Sequence, residues 1–312
     1  MKIITDLNEF HPQKPVVLTI GTFDGVHLGH QALLKQINIE AENRGGESYV
    51  LTFNPHPRSV LFPNESPVML IQSIEEKKDK LNRFGLDNLI IYPFTKAFSA
   101  LTAIEFVEKV LVKQLKVDTL IIGYDHQFGS NREGNIEFLK AHQSTYGYRV
   151  IEIEAQTIDE LKVSSTRIRK AIEEGDLASV NHFLREPYTL VGQVIKGDQL
   201  GRTIGFPTAN LKLNEPYKLV PKNGVYAVQV NCLGNKYQGM MNIGVRPTLA
   251  NSFEKRIEIH MLDVDLDIYD QEIKVSVLAF IREEQKFAGL EELKTKIKED
   301  ENWTRNYFLH LQ

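Results

Sequence analysis

The order of β-rich and helical segments changes partway along this 312-residue chain. From Val16 to about Ile153, short β-rich runs alternate with segments whose apolar residues recur at helical spacing, which is typical of an α/β domain with a parallel sheet. From Tyr188 onward, β-rich runs follow one another without intervening helices, which is typical of an antiparallel barrel. We therefore expect two domains, residues 1–184 and residues 185–312, with the boundary near Arg185 to Pro187.

The periodicity predicts five strands in each region. In the first region they are Val16 to Ile20, Tyr49 to Phe53, Leu89 to Tyr92, Leu120 to Ile122 and Arg149 to Ile153. In the second region they are Tyr188 to Ile195, Val225 to Val230, Tyr237 to Ile243, Arg256 to Leu262 and Ile273 to Phe280.

Four helices are predicted with defined limits. They are Ala103 to Leu115, Ser165 to Glu174, Asp176 to Leu184 and Leu290 to Lys298. The first carries one apolar stripe made of Ile104, Val107, Val110 and Leu111. Gly175 is expected to end the second helix, and the last helix is expected to close the barrel from outside.

Composition excludes several classes of protein. No apolar run approaches the ~20 residues that span a bilayer, and Met1 to Asp6 lacks the layout of a signal peptide, so we expect a cytoplasmic protein. The single cysteine, Cys232, excludes an intrachain disulfide and a cysteine-rich zinc site. The formal net charge of −4, without a basic tail, argues against nucleic acid as a partner. Monomer and weak homo-oligomer both stay open.

The first candidate site follows the first predicted strand. It reads Gly21-Thr22-Phe23-Asp24-Gly25-Val26-His27-Leu28-Gly29-His30 and opens a helix. A loop between a strand and a helix points backbone N–H groups and the helix N-terminus at an anion. His27 and His30 lie one turn apart and are expected to face the same phosphates, while Gly29 leaves room for a nucleotide. The alternative is a helix start whose histidines only cap and solvate.

Neither a Walker loop nor a Gly-x-Gly-x-x-Gly fingerprint occurs in the sequence, which disfavours P-loop ATPases and dinucleotide-binding enzymes. The His-x-Gly-His turn instead resembles that of nucleotidyltransferases related to class I aminoacyl-tRNA synthetases. A synthetase itself is disfavoured, since no Lys-Met-Ser-Lys-Ser segment or anticodon-binding region is present.

Three further segments narrow this resemblance: Phe53 to Pro57, Gly123 to Gly129, and Ser164 to Arg169. With the first loop, their order and spacing are similar to the FMN adenylyltransferase half of bacterial bifunctional FAD synthetases. The resemblance implies catalytic roles for His27 and His30. It implies nucleotide contacts from Gly21, Phe23, Asp24, Gly29, Ser164, Ser165, Thr166 and Arg169, and flavin contacts from Asn54, Pro55, His56, Pro57, Asp125 and Phe128. His126 stands where family members often carry an aromatic residue.

The second candidate site reads Gly201-Arg202-Thr203-Ile204-Gly205-Phe206-Pro207-Thr208-Ala209-Asn210. In an extended segment Thr208 and Asn210 project to the same side, so that a hydroxyl and an amide oxygen approach one hard cation such as Mg²⁺. Farther on, Glu258 and His260 share one face of a predicted strand, opposite Ile257, Ile259 and Met261. An exposed, salt-bridged glutamate is the alternative there.

The decapeptide and the segments after it resemble riboflavin kinases. The later segments are Asn223 to Tyr226, Asn242 to Thr248, Ile257 to His260 and Phe280 to Phe287. This resemblance implies a six-stranded barrel, Glu258 as catalytic base, and Thr208 and Asn210 at a magnesium–nucleotide complex. It also implies nucleotide contacts from Gly201, Arg202, Gly205 and Pro207, and flavin contacts from Arg282 and Phe287.

The two resemblances together predict a bifunctional enzyme that makes FMN from riboflavin and then FAD from FMN, with ATP as co-substrate in both reactions. Two alternatives stay open. In the first, the first domain transfers the adenylyl group to another phosphate ester, such as phosphopantetheine or a nicotinate nucleotide. In the second, the chain is a flavin-sensing module whose sites no longer turn over.

Overall fold

The computed structural model describes residues 1–123, 126–153, 163–197, 200–247, 253–264 and 266–311. By contacts within the chain, the protein divides into two compact units, Met1–Ser165 and Thr166–Gln312. The division falls after Ser165 because the helix Leu177–Leu184 packs against strands of the second unit. The domain boundary at residues 184 and 185 stays a prediction.

The first unit contains a six-stranded sheet in which all paired strands are parallel. The strands are β1 (Lys2–Ile4), β2 (Val16–Ile20), β3 (Glu47–Asn54), β4 (Asn88–Pro93), β5 (Val117–Gly123) and β6 (Arg149–Ile153), in the spatial order β1-β4-β3-β2-β5-β6. The five predicted strands are therefore confirmed. The short edge strand β1 was not predicted. All five residues of β2 are buried, as expected for an inner strand of a parallel sheet that is covered on both faces.

Helices cover both faces of this sheet. They are α1 (Leu28–Arg44), α2 (Pro57–Leu61), α3 (Ile74–Arg83), α4 (Lys96–Ser99), α5 (Ala103–Glu105) and α6 (Ile136–Tyr146). Side chains of α1 and α3 pack with Val17 and Val50 on one face. Side chains of α6 and of the segment after α5 pack with Leu18 and Leu51 on the other.

The prediction of a single α-helix from Ala103 to Leu115 is wrong about the type of helix. After α5, residues Phe106–Gln114 form a π-helix, and the N–H of Leu115 donates to the carbonyl of Val110 at 2.9 Å. In this wider winding the buried residues are Phe106, Val107, Val110 and Leu111, while Ile104, which we expected in the stripe, is only half-buried.

The second unit is a closed antiparallel barrel of six strands, as the riboflavin kinase resemblance implied. The strands are β7 (Tyr188–Ile195), β8 (Ala209–Leu213), β9 (Gly224–Cys232), β10 (Asn235–Pro247), β11 (Phe253–Met261) and β12 (Glu272–Arg282), in the spatial order β10-β11-β8-β7-β12-β9. The periodicity did not predict β8, which is short and carries polar residues at Asn210 and Lys212.

The helices of the second unit are α7 (Ser165–Glu174), α8 (Leu177–Leu184), α9 (Leu200–Thr203) and α10 (Leu290–Leu309). Gly175, at φ 77°, ends α7, and Asp176 caps α8, as predicted. Helix α10 runs eleven residues beyond its predicted end at Lys298. Its buried face there includes Asp300 and Glu301, whose charges are paired, so the apolar pattern that would reveal the helix is absent.

No helix among the residues described here is both long and apolar enough to cross a membrane.

Candidate active sites

The first predicted loop lies at the carboxyl end of β2, between that strand and α1. Inner-strand ends of this kind are where open α/β sheets bind ligands. The loop backbone has positive φ at Phe23 (48°), Gly25 (97°) and Val26 (36°). For the two residues that carry side chains, this conformation costs of order 1–3 kcal/mol each. Surrounding contacts must therefore hold the loop in place.

Side chains of several neighbouring segments donate hydrogen bonds to four of the loop's carbonyl groups. The carbonyl of Thr22 accepts from Nζ of Lys77 at 2.6 Å and from Oγ1 of Thr52 at 3.0 Å. The remaining bonds are Ser165 Oγ to Asp24 O at 2.8 Å, Lys80 Nζ to Gly25 O at 3.5 Å, and Gln31 Nε2 to Val26 O at 2.9 Å. These bonds fix the direction of successive peptide groups and offset the cost of the strained backbone.

The carboxylate of Asp24 anchors the same loop to the segment before α3. Asp24 is 2% exposed, and its Oδ1 accepts from the N–H groups of Ile71 at 3.0 Å and Gln72 at 3.1 Å. A buried carboxylate with two backbone donors is well satisfied. Its contact with the nucleotide, which the resemblance implied, stays a prediction.

His27 and His30 come together at the start of α1. Their rings stack with centroids 3.8 Å apart and planes 18° apart. His27 is the N-cap residue, and its Nδ1 accepts from the backbone N–H of His30 at 3.4 Å. Because Nδ1 is the acceptor, the neutral ring of His27 carries its proton on Nε2. The ring of His30 also packs against Phe23, at 4.7 Å between centroids.

Burial keeps both imidazoles neutral at pH 7. It lowers the pKa of His27 to about 4, with a smaller contribution from the ammonium of Lys80. Burial likewise lowers the pKa of His30 well below its ordinary value, and His27 and the lysines of α3 add to that effect. Burial also lowers the pKa of Lys77, to about 8, against the opposing effect of Asp24, so Lys77 is mostly charged at pH 7.

Gly29 lies in close contact with the ring of His27. A Cβ at Gly29 would lie 3.3 Å from Nδ1 of His27, which is closer than most real Cβ contacts. The absence of a side chain therefore leaves space for the imidazole of His27. The nucleotide contact that we expected at Gly29 stays a prediction.

In the barrel, the decisive cluster joins β8 and β11. Asn210 on β8 is paired in register with Glu258 on β11. Arg256, two residues before Glu258, donates from Nε to Oδ1 of Asn210 at 2.7 Å and lies 3.1 Å from Oε1 of Glu258. The arginine thus holds the predicted base and a predicted metal ligand beside each other. On the opposite face of β11, Ile257, Ile259 and Met261 are buried, which confirms the predicted alternation.

A cavity of about 140 Å³ lies at the decapeptide, and it meets β11 through Ile259 and Met261, on the face opposite Glu258. It is lined by three of the predicted residues, Arg202, Pro207 and Thr208, and also by Asp267 and Tyr269. His260 fixes one wall, because its Nδ1 donates to the carbonyl of Pro207 at 2.8 Å. The cavity therefore borders both the decapeptide and β11, and the hydrogen bond of His260 connects the same two segments.

The two glycines of the decapeptide shape its turn. A Cβ on Gly201 would collide with the carbonyl of Phe206. Gly205 has φ 88°, in the left-handed region that favours glycine. Both positions therefore need glycine for the backbone alone, and their nucleotide contacts stay predictions.

The donor chemistry at Thr208 and Asn210 fits Mg²⁺, which prefers hard oxygen ligands. Asn210 is 6% exposed, and its amide oxygen has two lone pairs, of which Arg256 uses one. A side-chain hydroxyl and the remaining lone pair can thus supply two of the ligands, the others coming from phosphate and water.

Comparisons with known proteins match both halves of the chain. A family profile described as FAD synthetase matches residues 9–167, and one described as riboflavin kinase matches residues 184–308. The bifunctional riboflavin kinase/FMN adenylyltransferase of Escherichia coli is 40% identical over 99% of this chain and 98% of its own length. The chain belongs to this bifunctional family. Family membership confirms the expected order of domains, with the adenylyltransferase first and the kinase second.

Two further relatives match over nearly the whole chain. The bifunctional riboflavin kinase/FMN adenylyltransferase of Listeria monocytogenes is 40% identical over 99% of this chain and 95% of its own length. A solved structure described as a macrolide-efflux protein from Streptococcus pneumoniae is 33% identical, with a TM-score of 0.86 over 97% of this chain and 98% of that chain.

Other residues expected to act in the adenylyltransferase domain have varied surroundings. Asn54 and Pro55 are exposed at the end of β3, where a cis peptide bond joins them. His56 caps α2 through Nδ1, which accepts from the N–H of Arg58 at 3.2 Å, and Pro57 is the first residue of that helix. Asp125 lies outside the described residues. The flavin contacts of this set stay predictions.

Phe128 belongs to a cluster of aromatic rings in the first unit. Its ring lies 5.3 Å from that of Phe106 and 6.1 Å from that of Phe138, measured between centroids. The ring of His126 stacks against it at 6.0 Å. His126 therefore packs as an aromatic residue would, although its contact with flavin stays untested.

The triphosphate segment is divided between the two units. Ser164 is exposed and Ser165 bonds the first loop, both in the first unit. Thr166 and Arg169 lie on α7 in the second unit, where Thr166 is exposed and Arg169 half-buried. Their contacts with the triphosphate stay predictions.

Arg282 is held by a buried carboxylate in the kinase domain. Its guanidinium donates to Asp300 of α10 at 2.7 to 3.0 Å, and Asp300 is 4% exposed. The same guanidinium lies 5.8 Å from the ring centroid of Phe287. The pair ties α10 to β12, and the predicted flavin contacts of Arg282 and Phe287 stay predictions.

Sequence reasoning missed Arg256, Lys77 and Lys80, although the sequence carried a signal for the first two. Arg256 lies two residues before Glu258, so strand alternation places both on one face. Lys77 falls on the same helical stripe as Ile74 and Leu81, where an apolar residue is expected. A lysine in such a stripe indicates a buried charge with a specific partner.

Proposed function

We propose that this chain phosphorylates riboflavin to FMN in its second domain and transfers an adenylyl group to FMN in its first domain, giving FAD. The observation that carries the proposal is that both built sites, the His27–His30 pair and the Asn210–Arg256–Glu258 cluster, occur in a chain that matches bifunctional relatives over 99% of its length. Two ATP molecules are consumed for each FAD.

In the kinase domain, Glu258 takes the proton of the ribityl 5′-hydroxyl while that oxygen attacks the γ-phosphorus of ATP. The new P–O bond forms as the bond to ADP breaks, and ADP leaves with the electron pair. Arg256 orients the carboxylate through its contact at 3.1 Å. Thr208 and Asn210 would hold Mg²⁺, which when bound neutralises charge on the phosphates of the nucleotide.

In the adenylyltransferase domain, a phosphate oxygen of FMN attacks the α-phosphorus of ATP and pyrophosphate leaves. The nucleophile is already an anion at neutral pH, so the site needs to orient the reactants and neutralise charge rather than remove a proton. The neutral imidazoles of His27 and His30 and the N-terminus of α1 donate hydrogen bonds to phosphate oxygens. Ser164, Ser165, Thr166 and Arg169 supply further donors.

We further propose that the protein acts in the cytoplasm on small molecules, with nucleic acid excluded as a partner. The net charge of −4 supports the exclusion of nucleic acid, because a binding face for polyanions is normally basic.

The test is chromatographic separation of flavins after purified protein is incubated with riboflavin, ATP and Mg²⁺, with a parallel sample that lacks ATP. We expect transient FMN followed by FAD, and unchanged riboflavin without ATP. If FMN is the final product, FMN is not the acceptor of the adenylyl group. A panel of other phosphate esters would then identify the acceptor. Tight flavin binding without ADP or pyrophosphate release would favour a flavin-sensing module.

A further inference from the structure

Two lysine side chains of α3 are enclosed beneath the loop Gly21–His27. Lys77 is 7% exposed and Lys80 is 2% exposed. Burying an ammonium group costs several kcal/mol unless strong partners compensate it. The rest of the buried face of α3 is apolar, and Leu81 on it is fully buried. Two of the three buried residues of α3 are therefore lysines, which need specific partners.

Both ammonium groups donate to carbonyls of the loop. Lys77 donates to the carbonyl of Thr22 at 2.6 Å and to Oγ1 of Thr52 at 3.3 Å, and Lys80 donates to the carbonyl of Gly25 at 3.5 Å. Asp24 attracts Lys77 electrostatically, while its own carboxylate accepts from backbone N–H groups before α3. The cluster thus combines two ammonium groups, one carboxylate and two stacked imidazoles.

These bonds determine which side of the loop faces a ligand. In a trans peptide group the N–H points opposite to the C=O. Because Lys77 draws the carbonyl of Thr22 toward α3, the N–H of Phe23 points away from α3. The loop therefore has the ammonium group of Lys77 on its α3 side, and the N–H of Phe23 is directed away from that group.

We propose that Lys77 and Lys80 are positioning residues for adenylyl transfer, which fix the loop Gly21–His27 in its strained shape and supply buried positive charge behind the site for the phosphates of ATP. The inference rests on the proposed adenylyltransferase activity and deepens it. Charge held in a low-dielectric environment acts more strongly than charge in water, and it needs no reorganisation when phosphate charge moves toward pyrophosphate.

Three variants of the full chain separate charge from shape. Lys77→Met keeps a long apolar stem and removes the charge, and Lys77→Arg keeps the charge. Lys78→Met is the matched control, because Lys78 is the next residue on α3 and bonds the exposed Glu75 at 2.7 Å. FAD formation from supplied FMN and ATP gives kcat and KM, and FMN formation from riboflavin by the same protein reports the second domain.

We expect Lys77→Met to lower kcat/KM for ATP in FAD formation by at least about tenfold, mainly through kcat, since such electrostatic contributions act on the transition state. Lys77→Arg should restore most of that loss, and Lys78→Met should stay within about twofold of the wild type. FMN formation should be unchanged in all three. A folded Lys77→Met protein with wild-type kcat/KM would overturn the proposal, and an inactive Lys77→Arg protein would overturn its charge component.

A second readout does not depend on activity. Amide hydrogen exchange of residues 21–31 is measured with and without sodium pyrophosphate. We expect pyrophosphate to protect this segment in the wild type and in Lys77→Arg, and not in Lys77→Met. If the wild type makes no FAD but shows this pattern, the proposed reaction fails and the inference about the lysines stands. Equal protection in all variants would overturn the inference itself.

Lys80→Met provides the second variant if Lys77→Met does not fold. Its bond to the carbonyl of Gly25 is longer, and its removal leaves the anchor at Thr22 in place. The same loss of FAD formation and of pyrophosphate protection is expected, and their retention in a folded Lys80→Met protein would contradict the role of this lysine.

Discussion

At the scale of the residue, Glu258 shows how one side chain acquires its role from its neighbours. Its carboxylate is half-buried on β11, and the contact with Arg256 restricts its orientation. By itself, the sequence around Glu258 favours an exposed salt bridge, and the Thr-x-Asn motif upstream reverses that preference. The pairing of Glu258 with Asn210 on β8 supports the proposed role as base over that of a surface ion pair.

Glu258→Gln should nearly abolish FMN formation, because an amide cannot accept the hydroxyl proton. General-base catalysis typically contributes 10²–10⁴-fold, so we expect a loss of about that size. FAD formation from supplied FMN should be unchanged. The control is Glu272→Gln on β12, an exposed residue that bonds Asn214. FMN formation at the wild-type rate by Glu258→Gln would exclude it as the base.

The buried histidines give the fold a pH dependence. The folded pKa of His27, about 4, is below its ordinary value of 6.5. Below pH 6.5 the unfolded chain therefore binds a proton that the folded chain does not. As the pH is lowered from 6.5 to about 4, the free energy of unfolding decreases. The full loss corresponds to about 3 kcal/mol.

His27→Asn should weaken this pH dependence, because asparagine keeps an N-cap acceptor and does not titrate. The measurement is hydrogen exchange of α1 at pH 7 and pH 5, corrected for intrinsic rates. Between these two pH values the wild type should lose more protection than the variant. An equal loss in both proteins would show that His27 does not contribute.

At the scale of the element, the Arg282–Asp300 pair connects a barrel strand to the last helix. Asp300→Asn leaves a largely buried guanidinium without its counter-charge, and breaking such a pair costs about 3 kcal/mol or more. We expect a lower melting temperature. Unfolding can be measured by the fluorescence of Trp303, the only tryptophan, which lies on α10. Glu299→Gln, at an exposed site on the same helix, should have little effect.

Elements with a clear apolar period were predictable from the sequence, and those stabilised by polar partners were not. Strands β2 and β6 begin and end where the sequence predicted, because their limits coincide with runs of β-branched and apolar residues. The end of α10 and the strand β8 depend on paired charges and on barrel closure, which no local pattern records. Similarly, His27 and His30 were evident from their motif. The loop carbonyls to which Lys77 and Lys80 donate are visible only in the structure.

At the scale of the whole molecule, each active site belongs to a domain with its own sheet. An inactivating change in one domain should therefore leave the other reaction intact. His30→Ala is expected to block FAD formation and to preserve FMN formation, and Glu258→Gln is expected to do the reverse.

Mixing the two variants should restore FAD synthesis from riboflavin. The Glu258→Gln protein would use FMN that the His30→Ala protein releases, so FAD should appear after a lag that shortens as protein concentration rises. The measurement is the same flavin chromatography on the mixture and on each variant alone. Absence of FAD from the mixture, with both single activities present, would mean that FMN does not pass through solvent.

Strand β11 assigns two tasks to alternate positions of one short stretch. The odd-numbered residues Ile257, Ile259 and Met261 fill the interior, and the even-numbered residues Arg256, Glu258 and His260 carry the proposed base and two of the polar contacts around it. Substitutions can therefore impair chemistry or stability separately. Inserting or deleting one residue exchanges the two sets of side chains between the faces. We therefore expect β11 to tolerate substitutions better than insertions or deletions.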